Sequence, residues 1–259
     1  MEGQPGYVDR EMHATVILFP GSNADAEMVR TLRDVLQVRT SIAWHRDAEL
    51  PPGTDLCAIP GGFSYGDYLR AGAIARCSPI VAAIRRHAER GGLVLGVCNG
   101  FQILTEVGLL PGALTRNAHL RFECRDVFVT PQAEGPFTTG LPRVLRLPVA
   151  HAEGRYQASP ETLLSLEASC SVAFQYCDEE GRVARTPDEE CWTETNPNGS
   201  MLSIAGVVGG PGRNVLGLMP HPERMSEAFQ GRADGRSLFE AALRSAVVTA
   251  KPGQVAGLA

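Results

Sequence analysis

The 259-residue chain has almost no lysine: Lys251, near the carboxyl end, stands alone among arginines. A phosphate loop of the form Gly-x-x-x-x-Gly-Lys-[Ser/Thr] therefore cannot exist, and the body of the chain offers no amine for Schiff-base chemistry. If the chemistry is driven by ATP, another polypeptide handles the nucleotide. Long apolar runs are also missing, so no segment reaches the roughly 20 residues of a membrane-spanning helix. The opening Met1-Glu-Gly-Gln-Pro-Gly-Tyr-Val-Asp-Arg10 lacks the basic-then-apolar layout of a secretory signal. A net charge of −5 without a basic stripe argues against nucleic acid as a partner. Seven cysteines, an odd number without close paired spacing, suit reduced thiols and a cytoplasmic setting. Cys170, Cys177 and Cys191 are too irregularly spaced for zinc, and no metal site is expected. The 44% hydrophobic and 6% aromatic content is that of a globular enzyme.

What the chain does have is a strand–helix alternation. Residues 14–19 read as a buried strand, turned by Pro20-Gly-Ser-Asn23 into a helix over 24–37 with Ser22 or Asn23 as cap. Residues 41–44 and 55–59 read as further strands, and Ser78-Pro79 opens a helix reaching Arg90. This order predicts an α/β fold, a mostly parallel sheet with helices on both faces. From Phe122 the character changes. Residues 122–130 and 144–149 read as antiparallel, partly exposed strands. Residues 177–200 read as a mobile loop, 203–208 and 214–219 as strands, and 236–248 as a last helix. The expected organisation is an N-terminal extension (1–13), one domain (14–248) and a short tail (249–259).

The most informative segment is Gly92-Leu-Val-Leu-Gly-Val-Cys98-Asn-Gly-Phe-Gln-Ile-Leu-Thr-Glu-Val107. An apolar strand pattern meets a helical one at Gly96-x-Cys98-x-Gly100, the pattern of a nucleophile elbow. The two glycines remove the Cβ atoms that would clash where strand and helix meet. A thiol at a helix N-terminus is favoured as thiolate. Such a nucleophile needs a base and a group to orient that base. Met219-Pro-His221-Pro-Glu223 supplies both, two residues apart in backbone that places them on one side. Acyl transfer also needs two donors for an oxyanion: the amide of Asn99 and one from the Gly61-Gly62 turn, Gly62.

The order Cys, His, Glu with this elbow resembles the class I, triad-type glutamine amidotransferases. Within them, Phe19-Pro-Gly-Ser-Asn23, the run from Ile59-Pro-Gly-Gly-Phe-Ser-Tyr-Gly-Asp67 to Arg76, Leu110–Asn117, Pro148-Val-Ala-His-Ala-Glu-Gly154 and Met219–Arg224 are similar to the glutaminase subunits of phosphoribosylformylglycinamidine synthases. That resemblance covers residues 14–248 and implies a flavodoxin-like class I fold with an antiparallel β extension. It implies that Cys98 attacks the side-chain amide of glutamine, that His221 shuttles protons and that Glu223 orients it. It implies that Gln102 touches the substrate, with Arg121 and Phe122 as weaker contacts to the glutamine backbone. No cofactor is expected in this chain; ATP and magnesium are expected on a large synthetase subunit of the PurL type, with a small bridging subunit of the PurS type. His151 beside Glu153 reads either as a residue of the partner-facing site or as a hydrogen-bonded structural histidine. Two rival readings remain open, a peptidase or γ-glutamyl hydrolase-like thiol enzyme and a non-catalytic binding subunit.

Overall fold

Short runs of aliphatic and β-branched residues become strands wherever both faces are to be covered. The computed structural model describes residues 12–188, 192–228 and 231–249. The first half alternates β1 (His13–Leu18), α1 (Asp25–Arg30), β2 (Arg39–Trp44), β3 (Leu56–Ile59), α2 (Ile80–Glu89), β4 (Leu93–Val97) and α3 (Asn99–Glu106). There follow β5 (Ala113–Thr115), β6 (Glu123–Pro131), β7 (Leu145–His151), β8 (Arg155–Gln157), α4 (Pro160–Ala168), β9 (Val172–Cys177) and α5 (Trp192–Thr195). The chain ends with β10 (Ile204–Gly209), β11 (Val215–Leu218) and α6 (Asp234–Thr249).

Nine strands form one sheet in the order β2-β1-β3-β4-β11-β10-β9-β6-β7. The pairings β1–β2, β1–β3, β3–β4 and β4–β11 are parallel. From β11 onward every pairing is antiparallel. Every residue of β3, β4 and β11 is buried, as expected of parallel strands covered on both faces. In β7 buried residues alternate with more exposed ones, the signature of a half-covered antiparallel strand. The expected α/β class and antiparallel extension are both found.

Four local expectations are corrected. The first helix is not one regular helix over 24–37: α1 passes into a π turn at Thr31–Val35, and its N-cap is Ala24 without a side-chain cap. The Ser22 hydroxyl accepts instead from the Phe19 amide (3.1 Å), so it closes the turn before the helix. Pro79 has helical angles after an extended Ser78, yet the Ser78 hydroxyl bonds Tyr65 Oη (2.8 Å) and makes no cap. The stretch 177–200 is not simply a loop, because it contains α5 and buries Asn196, Asn198 and Ser200. Strand β9, fully buried between β10 and β6, went unread in that charged neighbourhood. The first eleven residues, Cys191 and Lys251 lie outside the described residues.

Candidate active site

The elbow forms where β4 runs into α3. Cys98 has φ 52° and ψ −106°, a left-handed backbone that a non-glycine residue adopts at a cost of about 1–3 kcal/mol. The flanking glycines are needed sterically. A Cβ on Gly96 would lie 2.6 Å from the Gly100 carbonyl oxygen, and one on Gly100 would lie 2.1 Å from that of Ile59. The Cys98 side chain is buried, with Sγ 3.8 Å from the Ala150 carbonyl oxygen of β7. In sheet order β7 is five places from β4, so the antiparallel half curls back over the elbow.

His221 follows β11, the parallel neighbour of β4. Its amide donates to Pro148 of β7 (2.8 Å), and its Nδ1 sits 2.5 Å from Glu223 Oε1. Both side chains are buried. The Glu223 carbonyl accepts from Thr31 Oγ1 and Ser226 Oγ, each at 3.1 Å, which fixes the loop against the first helix. The other ring nitrogen, Nε2, is buried without a formed hydrogen bond and faces the Cys98 thiol at electrostatic range. Burial alone would lower the imidazole pKa. The Glu223 carboxylate and the Cys98 side chain outweigh burial and hold it raised. Gly61 makes this approach possible, since a Cβ there would stand 2.6 Å from His221 Cε1 and 3.4 Å from Cys98 Cβ. Cys98, His221 and Glu223 are thus one connected group.

The two expected oxyanion donors lie on either side of this group. Asn99 is the first residue of α3, where an amide has no intrahelical acceptor. Gly62 pairs with Ser22 in an isolated antiparallel bridge, between the bonds Asn23 N to Gly61 O (3.2 Å) and Phe63 N to Gly21 O (2.8 Å). Those bonds leave the Gly62 amide with no backbone acceptor among the described residues. Gln102 is buried and its amide is engaged by protein at both ends: Oε1 accepts from Asn99 Nδ2 (2.8 Å) and Nε2 donates to the Glu153 carbonyl (2.6 Å). Arg121 and Phe122 stand on the exposed rim, in a loop tied down by Asn117 Nδ2, which donates to the carbonyls of Arg121 (2.9 Å) and His151 (3.0 Å).

The antiparallel half adds a wall that the motifs did not reveal. His151, at the end of β7, is buried, with Nδ1 3.2 Å from Asn117 Oδ1 and Nε2 unpartnered. Burial first, and then the charge of His221, push its pKa down to about 3, so it is neutral. Asn198 continues the network, donating to the Gly154 carbonyl (2.8 Å) and to Tyr176 Oη (3.3 Å) and accepting from the Ser200 amide (3.0 Å). The quoted Pro-Val-Ala-His-Ala-Glu-Gly and Leu110–Asn117 strings pointed here; the Asn-Pro-Asn-Gly-Ser turn carried no signal beyond its turn residues. Among the described residues no group of three or more His, Cys, Asp or Glu side chains gathers as a metal cradle.

Residues 11–241 match the CobB/CobQ-like glutamine amidotransferase domain family. The phosphoribosylformylglycinamidine synthase subunit PurQ of Bradyrhizobium diazoefficiens is 52% identical over 231 residues, 88% of this chain and 95% of the relative. The chain belongs to the PurQ family. The PurQ subunit of Gloeobacter violaceus agrees, at 49% identity over 244 residues, 91% of this chain and 99% of the relative. A chain in the structure of PurLQS from Thermotoga maritima superposes with TM-score 0.75 at 36% identity, covering 90% of this chain and 98% of that one. This chain is therefore a glutamine amidotransferase of the PurQ type, and the elbow, the His–Glu pair and the Gly61-Gly62 turn converge within that domain.

Proposed function

We propose that this PurQ-family chain is the glutaminase subunit of a phosphoribosylformylglycinamidine synthase, and that Cys98, His221 and Glu223 carry its chemistry. The observation that carries the reading is the buried line from Glu223 through the His221 ring to a thiol held at a strained helix start. The Cys98 proton rests on His221 Nε2, where the raised imidazole pKa keeps it, and the sulfur bonds to the side-chain carbonyl carbon of glutamine. The carbonyl electrons move onto oxygen, where the amides of Gly62 and Asn99 stabilise the charge. Collapse breaks the C–N bond, and the proton on His221 leaves with ammonia. A γ-glutamyl thioester remains on Cys98. Water, deprotonated by His221, then attacks that carbonyl, glutamate departs and the thiol is restored. Glu223 holds the ring so that Nε2 faces sulfur throughout.

Gln102 shapes the pocket floor beside the reacting amide, and Arg121 and Phe122 close the rim over the glutamine backbone. The chain itself needs no cofactor. Ammonia goes to a PurL-like synthetase subunit that binds ATP and magnesium and makes formylglycinamidine ribonucleotide, with a PurS-like subunit as bridge, in the cytoplasm. Exposed Phe63, Tyr68 and Leu69 after the Gly61-Gly62 turn, and exposed Leu120 and Phe122, supply apolar surface for that docking. No helix among the described residues is long and apolar enough to cross a membrane.

The test is glutamate release from glutamine by wild type and Cys98→Ala, alone and with the synthetase subunits, ATP, magnesium and formylglycinamide ribonucleotide. Release that rises with the synthetase and disappears in the variant is expected. Equal, null rates in both chains would overturn the catalytic assignment. A glutamine-mimicking electrophile should label Cys98 and spare the exposed Cys77, Cys124 and Cys170; indiscriminate labelling would point to an ordinary thiol.

A further inference from the structure

The segment after the Gly61-Gly62 turn is bound to the nucleophile helix more elaborately than a loop requires. Tyr65, Gly66 and Asp67 are left-handed in succession, with φ 55°, 71° and 51°. Strain of that kind persists only where the surroundings over-determine it. Here the ties are visible. Tyr65 Oη bonds His45 Nδ1 (2.6 Å) and Ser78 Oγ (2.8 Å). Arg70 makes a two-pronged pair with Glu106 at the far end of α3 (2.6 and 2.7 Å). The Ser64 amide donates to Asn99 Oδ1 (3.0 Å), and Asn99 Nδ2 donates to Asp67 Oδ1 (3.3 Å). Gly72, φ 79°, packs so closely on the helix that a Cβ would meet Ile103 N at 2.8 Å, and it also hydrogen-bonds Asp67.

The order of donors and acceptors matters. A carboxylate accepts and does not donate, so it fixes which end of a neighbouring amide faces it. Asp67 draws Asn99 Nδ2 and thereby leaves Asn99 Oδ1 for the Ser64 amide, two residues from Gly62. Nδ2 also donates to Gln102 Oε1, which in turn aims Gln102 Nε2 at the Glu153 carbonyl. The donor-only Ser64 amide, the acceptor-only Glu153 carbonyl and the Asp67 carboxylate all demand one polarity along the chain, and Asp67 is the charged member of the three. That chain joins the two strand ends that present the Gly62 and Asn99 amides.

We propose that Asp67 is a positioning residue for glutamine hydrolysis, holding the Asn99 side chain in the one orientation that locks the Gly62 turn and the start of α3 into a working oxyanion site. The proposal rests on the glutaminase reading and acts through Asn99; Asp67 does not touch the reacting atoms. Its charge is held against resistance. Partial burial first, and then the facing Glu153 carboxylate, raise its pKa to about 6 against the pull of Asn99 and Gly72. Glu153 is only loosely compensated by Arg116 (3.7 Å), and the nearby Arg70 is engaged by Glu106. A native pKa above the ordinary carboxylate value means that folding disfavours the ionised form, so Asp67 costs stability progressively as pH rises from 3.8 to about 6, and the cost is complete above that. A purely structural role would not select such a group.

Asp67→Asn and Asp67→Ala, assembled with the synthetase subunits, test this by glutamate release and thermal midpoint. Asp67→Asn should lower kcat about tenfold with KM for glutamine within about twofold, since one oxyanion donor is worth on the order of a hundredfold when removed outright. Its thermal midpoint at pH 7.5 should equal or exceed that of wild type, and the acid limb of kcat near pH 6 should flatten. Asp67→Ala should fall further in kcat. Wild-type kcat in both variants would overturn the proposal. So would a raised KM at unchanged kcat, which would mean that Asp67 holds the substrate itself. A parallel fall of kcat and midpoint in Asp67→Asn would reduce it to a fold contact. If wild type releases no glutamate, the glutaminase reading fails instead, and the two failures are distinguishable.

Discussion

The two halves of the sheet each bury a histidine within electrostatic range of the other, and the two are held in opposite charge states. His221 enters from the parallel half, after β11, and its carboxylate partner raises its pKa. His151 enters from the antiparallel half, at the end of β7, and has only an asparagine beside it, so burial keeps it neutral. The same ring is a proton carrier in one setting and a wall in the other. What differs is a neighbouring charge. Linkage gives the pair opposite signatures. His221 adds stability that is complete below pH 6.5 and lost as pH rises through its raised native value. His151 adds none at pH 7 and costs stability as pH falls from 6.5 toward 3, where the unfolded chain takes a proton that the native ring refuses.

Cys98→Ala breaks the comparison most completely. Glutamate release should fall by on the order of 10⁴ or more, as for loss of a triad nucleophile, while the urea midpoint drops only modestly, since the change removes one long contact to the Ala150 carbonyl and the group facing His221 Nε2. A strongly destabilised variant would mean that the thiol's contact with Ala150 is a packing requirement. Glu223→Gln comes next. The amide keeps the shape but removes the charge that raises the His221 pKa, and turnover should drop by about 10²–10⁴. The stability difference between wild type and Glu223→Gln should be greatest below pH 6.5 and shrink as pH rises. A constant difference across that range would show that the pair is not an ion pair in the native state.

Asn198→Ala shifts the damage to the other half. Buried hydrogen bonds to the Gly154 carbonyl, the Ser200 amide and the Ser200 hydroxyl would be lost, at about 1 kcal/mol each, while Ser200 Oγ and Asn196 Oδ1 remain as second partners of the carbonyl and the amide. Stability should fall by about 2–4 kcal/mol in chemical denaturation, and the surviving folded fraction should still react with a glutamine-mimicking electrophile. Loss of labelling at full folding would place this network inside the reaction.

The contrast also explains what could be read beforehand. Gly96, Gly100 and Gly61 were legible because close approach of backbone leaves one residue type, and His221-Pro-Glu223 because the partners are local in sequence. Asn198 and Tyr176 were not, since each is an ordinary turn or strand residue until strands distant in sequence bury it. Strand β9 was obscured by the charged residues that follow it, which are exposed although the strand is not. Asp67 was expected to steady the segment after the Gly-Gly turn or to engage a partner, but the spacing gave no hint that it would clasp Asn99.

The Ser-Pro pairs at 78 and 159 sharpen the comparison at its smallest scale. The first string predicts a capped helix; the second carries no expectation. Only Ser159 caps, with Oγ accepting from the Thr162 amide (3.2 Å) at the start of α4 in the antiparallel half. Ser78 lies beside the site in the parallel half, and its hydroxyl is taken by Tyr65. Ser159→Ala should cost about 1 kcal/mol, as caps do, and leave glutamate release untouched. Ser78→Ala should cost no more in stability, about 1 kcal/mol for one hydrogen bond, yet slow turnover by loosening the Tyr65 anchor of the segment that Asp67 orders. Equal turnover in the two variants, at equal stability loss, would mean that the segment is held without Tyr65, and that the strain at residues 65–67 is set by Asn99 and Arg70 alone.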